Sequence, residues 1–299
     1  MNVDRLLPRT APLTTFSTTG CRYVFLCRPL FLPPGHIDLW LCRHKDASDK
    51  ALQDRCLSIL APDEVLRRAQ FRFERDQHQF LLTRALVRTV LSHYAPIPAR
   101  EWRFSPGPHG RPHIDHTLAS AIDGLDFNLS HTNGLVVLAV GRHIEFGVDA
   151  EHLARAPATE AAKLAFSEAE MSALESLPRP LQDRRFFELW TLKESYVKAR
   201  RSGMQIALDS FAFSLLPDDD HIGFTTSDQT GHHWSFWQME ATPDHLVSLC
   251  AATHRALPLV CREAMPFDTG REWKADWLRS SFGSVQCHQA HEHFHVPTV

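Results

Sequence analysis

Asp149 and Glu151 stand two residues apart in Glu145–Glu151, a stretch that reads as extended chain. Period 2 sends both carboxylates to one face of a strand. Two like charges on one face repel. Either they are solvated at a strand end, or a hard divalent cation held by oxygen, such as magnesium, offsets them. Glu194 and Lys198 sit at i, i+4 on a helical stretch, WTLKESYVKA (Trp190–Ala199), with Trp190 one turn earlier on the same face. Such spacing serves ordinary surface ion pairs. Here Trp190 beside Lys193, Glu194 and Lys198 favours a helix that packs on one side and lines a polar cleft on the other. Ser130 and His131 end Phe127–His131, and both can donate to phosphate. The same residues also suit a strand-to-turn junction with local hydrogen bonds. Arg111 stands in the Gly110–Pro112 loop, and Arg67, Arg68, Arg72, Arg75 and Arg84 crowd the first helical region. Guanidinium groups match phosphate oxygens bidentately, and they also decorate solvated helix faces.

These residues need elements to hold them. Ile37, Leu39 and Leu41 alternate with Asp38, Trp40 and Cys42, which predicts a strand. Residues 48–60 and 63–93 read as helical, the second region broken in two, with a stripe through Leu81, Leu82, Ala85, Leu86, Val90 and Leu91. Phe127–Ser130 and Leu135–Val140 read as strands joined by the hairpin signal Asn133-Gly134. Ser167 and Glu170 form a capping box, and a long helix is expected over Leu181–Arg201 with Gly203 to stop it. Strands are expected at Ser210–Leu215, Gly223–Thr226, Trp234–Glu240 and Leu246–Thr253. Each half runs from helices into strands, an α+β pattern. No repeat of solenoid length occurs.

The 299 residues suffice for one large domain or two modest ones. A formal net charge of −3 gives no basic field for nucleic acid. Seven cysteines at wide spacings, with no CxxC pair, argue against a disulfide framework and for a reducing compartment, the cytoplasm. No apolar run is long enough to span a membrane. Tyr23–Leu32 comes nearest to a leader core, but Arg28 and Pro29 interrupt it. Residues 1–35 therefore read as a loosely packed arm. His288, His291, His293 and His295 read as an incidental exposed tail.

Taken in order, the arginine-rich helix with Leu86–Arg88, then GRP, FNLSH, FGVDAE and WTLKESYVKA resemble the 4′-phosphopantetheinyl transferase superfamily, in its surfactin-synthetase-activating, single-chain form. The resemblance covers about residues 36–255. It implies two pseudo-twofold-related α+β subdomains, 36–142 and 143–262, with the active site in the cleft between them and an appendage from 263 to 299. It implies transfer of phosphopantetheine from coenzyme A to a serine of an acyl or peptidyl carrier protein, by a monomer. By the same resemblance, Asp149, Glu151 and Glu194 hold magnesium. Glu194 or Glu151 serves as base, and Lys198 assists the departing nucleotide. Ser130, His131, Arg111, Lys193, Arg67 and Arg84 contact the coenzyme. Gln79 stands where the family pattern can carry a basic side chain. Taken singly, the acids would also serve another magnesium-dependent phosphoester enzyme, a hydrolase or nuclease. A non-catalytic coenzyme A or carrier-binding module is the third reading.

Overall fold

The structure is a computed structural model that describes residues 30–44, 49–107, 111–157, 159–201, 206–216, 219–227 and 231–283. Most of the expected arm, residues 108–110, Gly203 and the histidine tract lie outside these. The first half contains β1 (Ile37–Arg43), α1 (Lys50–Leu57), α2 (Pro62–Ala69), α3 (Glu74–Leu91), β2 (Phe104–Pro106), β3 (Pro112–Ile114), α4 (Ala119–Ile122), β4 (Leu125–Thr132) and β5 (Leu135–Arg142). The second contains β6 (Phe146–His152), α5 (Thr159–Ala165), α6 (Glu168–Glu175), α7 (Arg179–Ala199), β7 (Phe211–Ser214), β8 (Gly223–Thr226), β9 (Trp234–Thr242) and β10 (His245–Ala252). Then come β11 (Leu259–Glu263), β12 (Arg271–Trp273) and β13 (Trp277–Ser280).

The halves repeat one topology. In the first, β1 pairs antiparallel with β5, and β5 with β4. In the second, β6 pairs antiparallel with β10, and β10 with β9. Each half inserts helices and a small two-stranded ribbon, β2–β3 or β7–β8, between its first strand and its hairpin. This is the α+β, two-subdomain arrangement expected. The end of the chain departs from expectation. β11 lies parallel to β1, β12 extends the same sheet, and β13 edges the other, giving orders β12-β11-β1-β5-β4 and β13-β9-β10-β6. Residues 263–280, expected to be an appendage, thus finish both sheets. Their strands are three or four residues long. β12 (Arg-Glu-Trp) carries no alternating apolar pattern, and β13 pairs with β9, far back in the sequence, so local patterning announces neither.

Strand alternation explains the layers. Ile37, Leu39 and Leu41 share a core with Leu135, Val137 and Ala139 of the same sheet and with Val148, Ala150, Val247 and Leu249 of the other. The intervening Trp40, Cys42, Val136 and Leu138 pack instead with Leu86, Val87 and Val90 of α3. Leu246 and Cys250 likewise meet Leu192 and Tyr196 of α7. The two sheets therefore face one another, with α3 and α7 on their outer surfaces. Strands buried on both faces read as near-continuous apolar runs. β5 shows this, with Leu135 to Gly141 all buried.

Candidate active site

On β6, Val148 and Ala150 point into the core between the sheets. Period 2 then turns Gly147, Asp149 and Glu151 toward α7. Gly147 is the point of closest approach. A Cβ built there would lie 2.3 Å from Ser195 O and 2.4 Å from Ala199 N, both backbone atoms of α7. On α7, Trp190, Glu194 and Lys198 are partly open, whereas Thr191, Leu192, Lys193, Ser195, Tyr196 and Val197 are buried. This is the two-sided helix expected from its sequence. Lys198 Nζ donates to Asp149 Oδ1 at 2.7 Å and to Val148 O at 3.2 Å.

The edge strands of the two sheets meet here, and side chains of β4 satisfy the backbone of β6. Asn128 Oδ1 accepts from Val148 N at 2.7 Å, and Ser130 Oγ accepts from Ala150 N at 3.2 Å while donating to Asp149 Oδ1 at 2.9 Å. A sheet edge needs such cover. Ser130 is buried and holds Asp149 in place, where a phosphate contact was expected. Asn128 was not singled out, although its spacing of two from Ser130 puts both on one face.

Three carboxylates share this place. Glu194 has its pKa raised, first by burial and then by Asp149 and Glu151, with Lys198 opposing. Glu151 is raised by burial and by Asp149, against the pull of Arg155, whose Nη1 lies 3.5 Å from Glu151 Oε2. Among the described residues, no three His, Cys, Asp or Glu side chains are gathered closely enough to hold a metal ion as they stand. Lys198 supplies the positive charge at Asp149. The donor set nevertheless suits a hard dication: all ligand atoms are carboxylate oxygens, and Asp149 Oδ2 is buried with no hydrogen-bond partner.

Beside the acids opens a cavity of about 560 Å³. Its walls come from both halves: Arg111, Phe127 and Leu129 from one, Glu194, Lys198 and Leu208 from the other. Arg111 lines it, but both terminal nitrogens are spent on protein acceptors: Lys198 O (2.8 Å), Asp126 Oδ2 (3.0 Å), Phe127 O (2.8 Å) and Phe146 O (3.5 Å). It fastens the halves together. His131 is exposed at the end of β4, its Nδ1 3.0 Å from Gln79 Nε2, which also donates to Thr132 O. Desolvation by the surrounding chain and the charge of Lys198 lower the pKa of His131. Arg84 pairs with Glu64 at 3.8 Å and lies over the Phe80 ring; its charge is felt by His131. Arg67 is exposed, donates to Gln70 and lies over Phe71. Neither Arg67 nor Arg84 lines the cavity.

Lys193 is not in the cleft. One residue from Glu194 is 100° around the helix, and its ammonium is buried against Glu170 Oε2 (2.8 Å), Leu208 O (2.8 Å) and Phe211 O (2.7 Å). Burial lowers its pKa, and Glu170 opposes that. Glu170 also accepts from Ser167 N and Phe213 N. The expected capping box is therefore one end of a buried strut that holds Leu208, a cavity wall. Lys193→Met should strand Glu170 and cost about 3–5 kcal/mol. Lys193→Met with Glu170→Gln should recover part of it, read from urea midpoints. Unchanged stability with loss of coenzyme affinity alone would return Lys193 to the coenzyme.

The family described as the 4′-phosphopantetheinyl transferase superfamily matches residues 145–250, and the one described as 4′-phosphopantetheinyl transferase, N-terminal, matches residues 47–143. Among similar proteins, the 4′-phosphopantetheinyl transferase HetI of Nostoc sp. is 31% identical over 75% of this chain and 90% of its own. The 4′-phosphopantetheinyl transferase Sfp of Bacillus subtilis (strain 168) is 29% identical over 67% and 85%. The gsp transferase of Aneurinibacillus migulanus is 34% identical over 46% and 54%. The first matched segment runs from α1 to the end of β5 and the second from β6 into β10, so each falls on one half of the repeated topology, and the cleft between them holds the acids of the resembling motifs. This chain belongs to the 4′-phosphopantetheinyl transferase superfamily, in its two-domain, Sfp-like form.

Proposed function

We propose that this protein transfers 4′-phosphopantetheine from coenzyme A to a serine of an acyl or peptidyl carrier protein, as a monomer in a reducing compartment such as the cytoplasm. The observation that carries the site assignment is the meeting of Asp149, Glu151, Glu194 and Lys198 beside a cavity walled by both halves. The buried thiols of Cys42, Cys56, Cys250 and Cys261, none in a disulfide, support the compartment. No helix among the described residues is long and apolar enough to cross a membrane.

In the reaction, the serine oxygen bonds to the coenzyme's β-phosphorus and the bond to the bridging oxygen breaks, releasing 3′,5′-ADP. Asp149, Glu151 and Glu194 would hold magnesium, whose bound charge would screen the pyrophosphate and polarise its oxygens. Glu194 or Glu151 takes the serine proton; a raised pKa keeps a carboxylate useful as a base near neutrality. Lys198 meets the negative charge developing on the leaving nucleotide. Ser130 and Asn128 keep β6, and so Asp149, in register with the cleft.

The direct test is mass spectrometry of an apo carrier protein incubated with this protein, coenzyme A and magnesium. A gain of one phosphopantetheine that a chelator abolishes is expected. An unmodified carrier, or a gain indifferent to chelator, would refute the reading.

The pKa directions give a second expectation. Glu151 and Glu194 hold their protons more tightly folded than unfolded, so stability falls as pH rises from the ordinary carboxylate range through their raised values. A dication bound by the charged acids offsets that loss. The gain in melting temperature on adding magnesium should be larger at about pH 8 than at about pH 5. Equal gains at both would contradict the assigned ligands.

A further inference from the structure

One cavity-wall residue is held in an unfavourable backbone conformation. α7 ends with Arg200 as its cap, and the next residue, Arg201, has φ +53°. That is the left-handed position just past a helix cap, where glycine is the usual occupant because it has no Cβ. The other described non-glycine residues with positive φ are Asp123, His143 and Phe267, and none lines the cavity. Strain that coincides with a ligand wall points from the outlier to a role.

The charges around Arg201 say what that role is. Its Nη2 donates to Asp126 Oδ2 at 2.5 Å, the oxygen that also accepts from Arg111 Nη2 at 3.0 Å. Two guanidinium groups thus share one carboxylate, which leaves one positive charge in excess at this wall. Arg111 cannot offer it, since its side chain is 18% exposed and both terminal nitrogens are occupied. Arg201 is 51% exposed and lines the cavity together with Phe127, Leu129, Glu194 and Lys198. A planar cation over a largely apolar cavity, beside the proposed site of phosphoryl chemistry, suits a phosphorylated nucleotide.

We infer that Arg201 is the residue with which this wall grips the nucleotide half of coenzyme A, a contact with the coenzyme that the family resemblance implies for Arg111. Asp126 aims it, and Arg111 anchors Asp126 to the end of α7. The inference rests on the proposed transferase reading and adds a binding residue to it.

The Arg201→Gly substitution separates binding from folding. Arg201→Gly removes the guanidinium and relieves the left-handed strain; the half-exposed ion pair it loses contributes little. Calorimetric titration of the full chain with 3′,5′-ADP and with coenzyme A should show affinity weakened about tenfold, the scale of one charge-assisted contact. The melting temperature should match or exceed that of the wild type. Arg201→Ala, which keeps the strained backbone, should lose the same affinity and melt below Arg201→Gly. Affinities of Arg201→Gly within about twofold of wild type, in a protein that still labels carrier, would overturn this inference alone. Wild-type protein that binds neither ligand and labels no carrier would overturn it together with the transferase reading.

Discussion

Glu194→Gln is expected to lower turnover at least a hundredfold, roughly, while the protein stays folded. The side chain lines the cavity, and its charged form is disfavoured by burial and by two neighbouring carboxylates. Glutamine keeps the shape and removes that repulsion, so the melting temperature should hold or rise as activity falls. A loss of function joined to a gain in stability is the mark of a residue whose charge serves the reaction rather than the fold. Asp149→Asn should cost a similar factor for a related reason but with the opposite effect on stability. Asn keeps an oxygen for Ser130, yet it loses the ion pair with Lys198, whose ammonium is 2.7 Å from Oδ1. Single-turnover transfer to a carrier at saturating coenzyme A, with thermal unfolding of each variant, gives both readings. If both variants turn over within about tenfold of the wild type, the assigned site is wrong.

The sequence made faces legible better than it made partners legible. Spacing of two put Asp149 and Glu151 on one side of a strand, and spacing of four put Glu194 and Lys198 on one side of a helix; the structure has both. β8 runs Gly223–Thr226 as expected, and Ser167 and Glu170 form their capping box. What lay beyond reach was what each face meets. Lys193 shares a motif with Glu194, but helix geometry turns it into the core, and nothing within that motif names Glu170 as its partner. Ser130 and Arg111 carry groups able to bind phosphate, and the fold uses them on Asp149 and on the end of α7. The pairing of β11 with β1 joins Ile37 to Leu259, too far apart in sequence for a local pattern to announce. Arg201 lacks any local signal, because glycine, the residue that marks a left-handed position past a helix cap, does not stand there.

The same distinction makes Gly147 a sensitive position outside the proposed ligands and base. In sequence it is one glycine in FGVDAE, flanked by residues with clear strand character. In the structure it lets β6 lie against the backbone of α7, which carries Glu194 and Lys198. A methyl group at 147 would meet Ser195 O at 2.3 Å, Ala199 N at 2.4 Å and the Lys198 carbonyl carbon at 2.9 Å. These are backbone atoms inside a helix, so no rotamer change can make room; strand and helix must move apart. Overpacking of a core by one methyl group costs about 1–3 kcal/mol where side chains yield, and a backbone contact belongs at or above the top of that range. Movement also parts Asp149 on β6 from Lys198 on α7, and displacements of about an ångström can cost a hundredfold in rate. Gly147→Ala should therefore lose both stability and turnover, the latter by about a hundredfold or more even where the variant remains folded. Thermal unfolding and single-turnover transfer, measured below the variant's transition, test the two losses separately. Wild-type turnover in a folded Gly147→Ala protein would mean that the close approach of β6 and α7 does not set the geometry of the site.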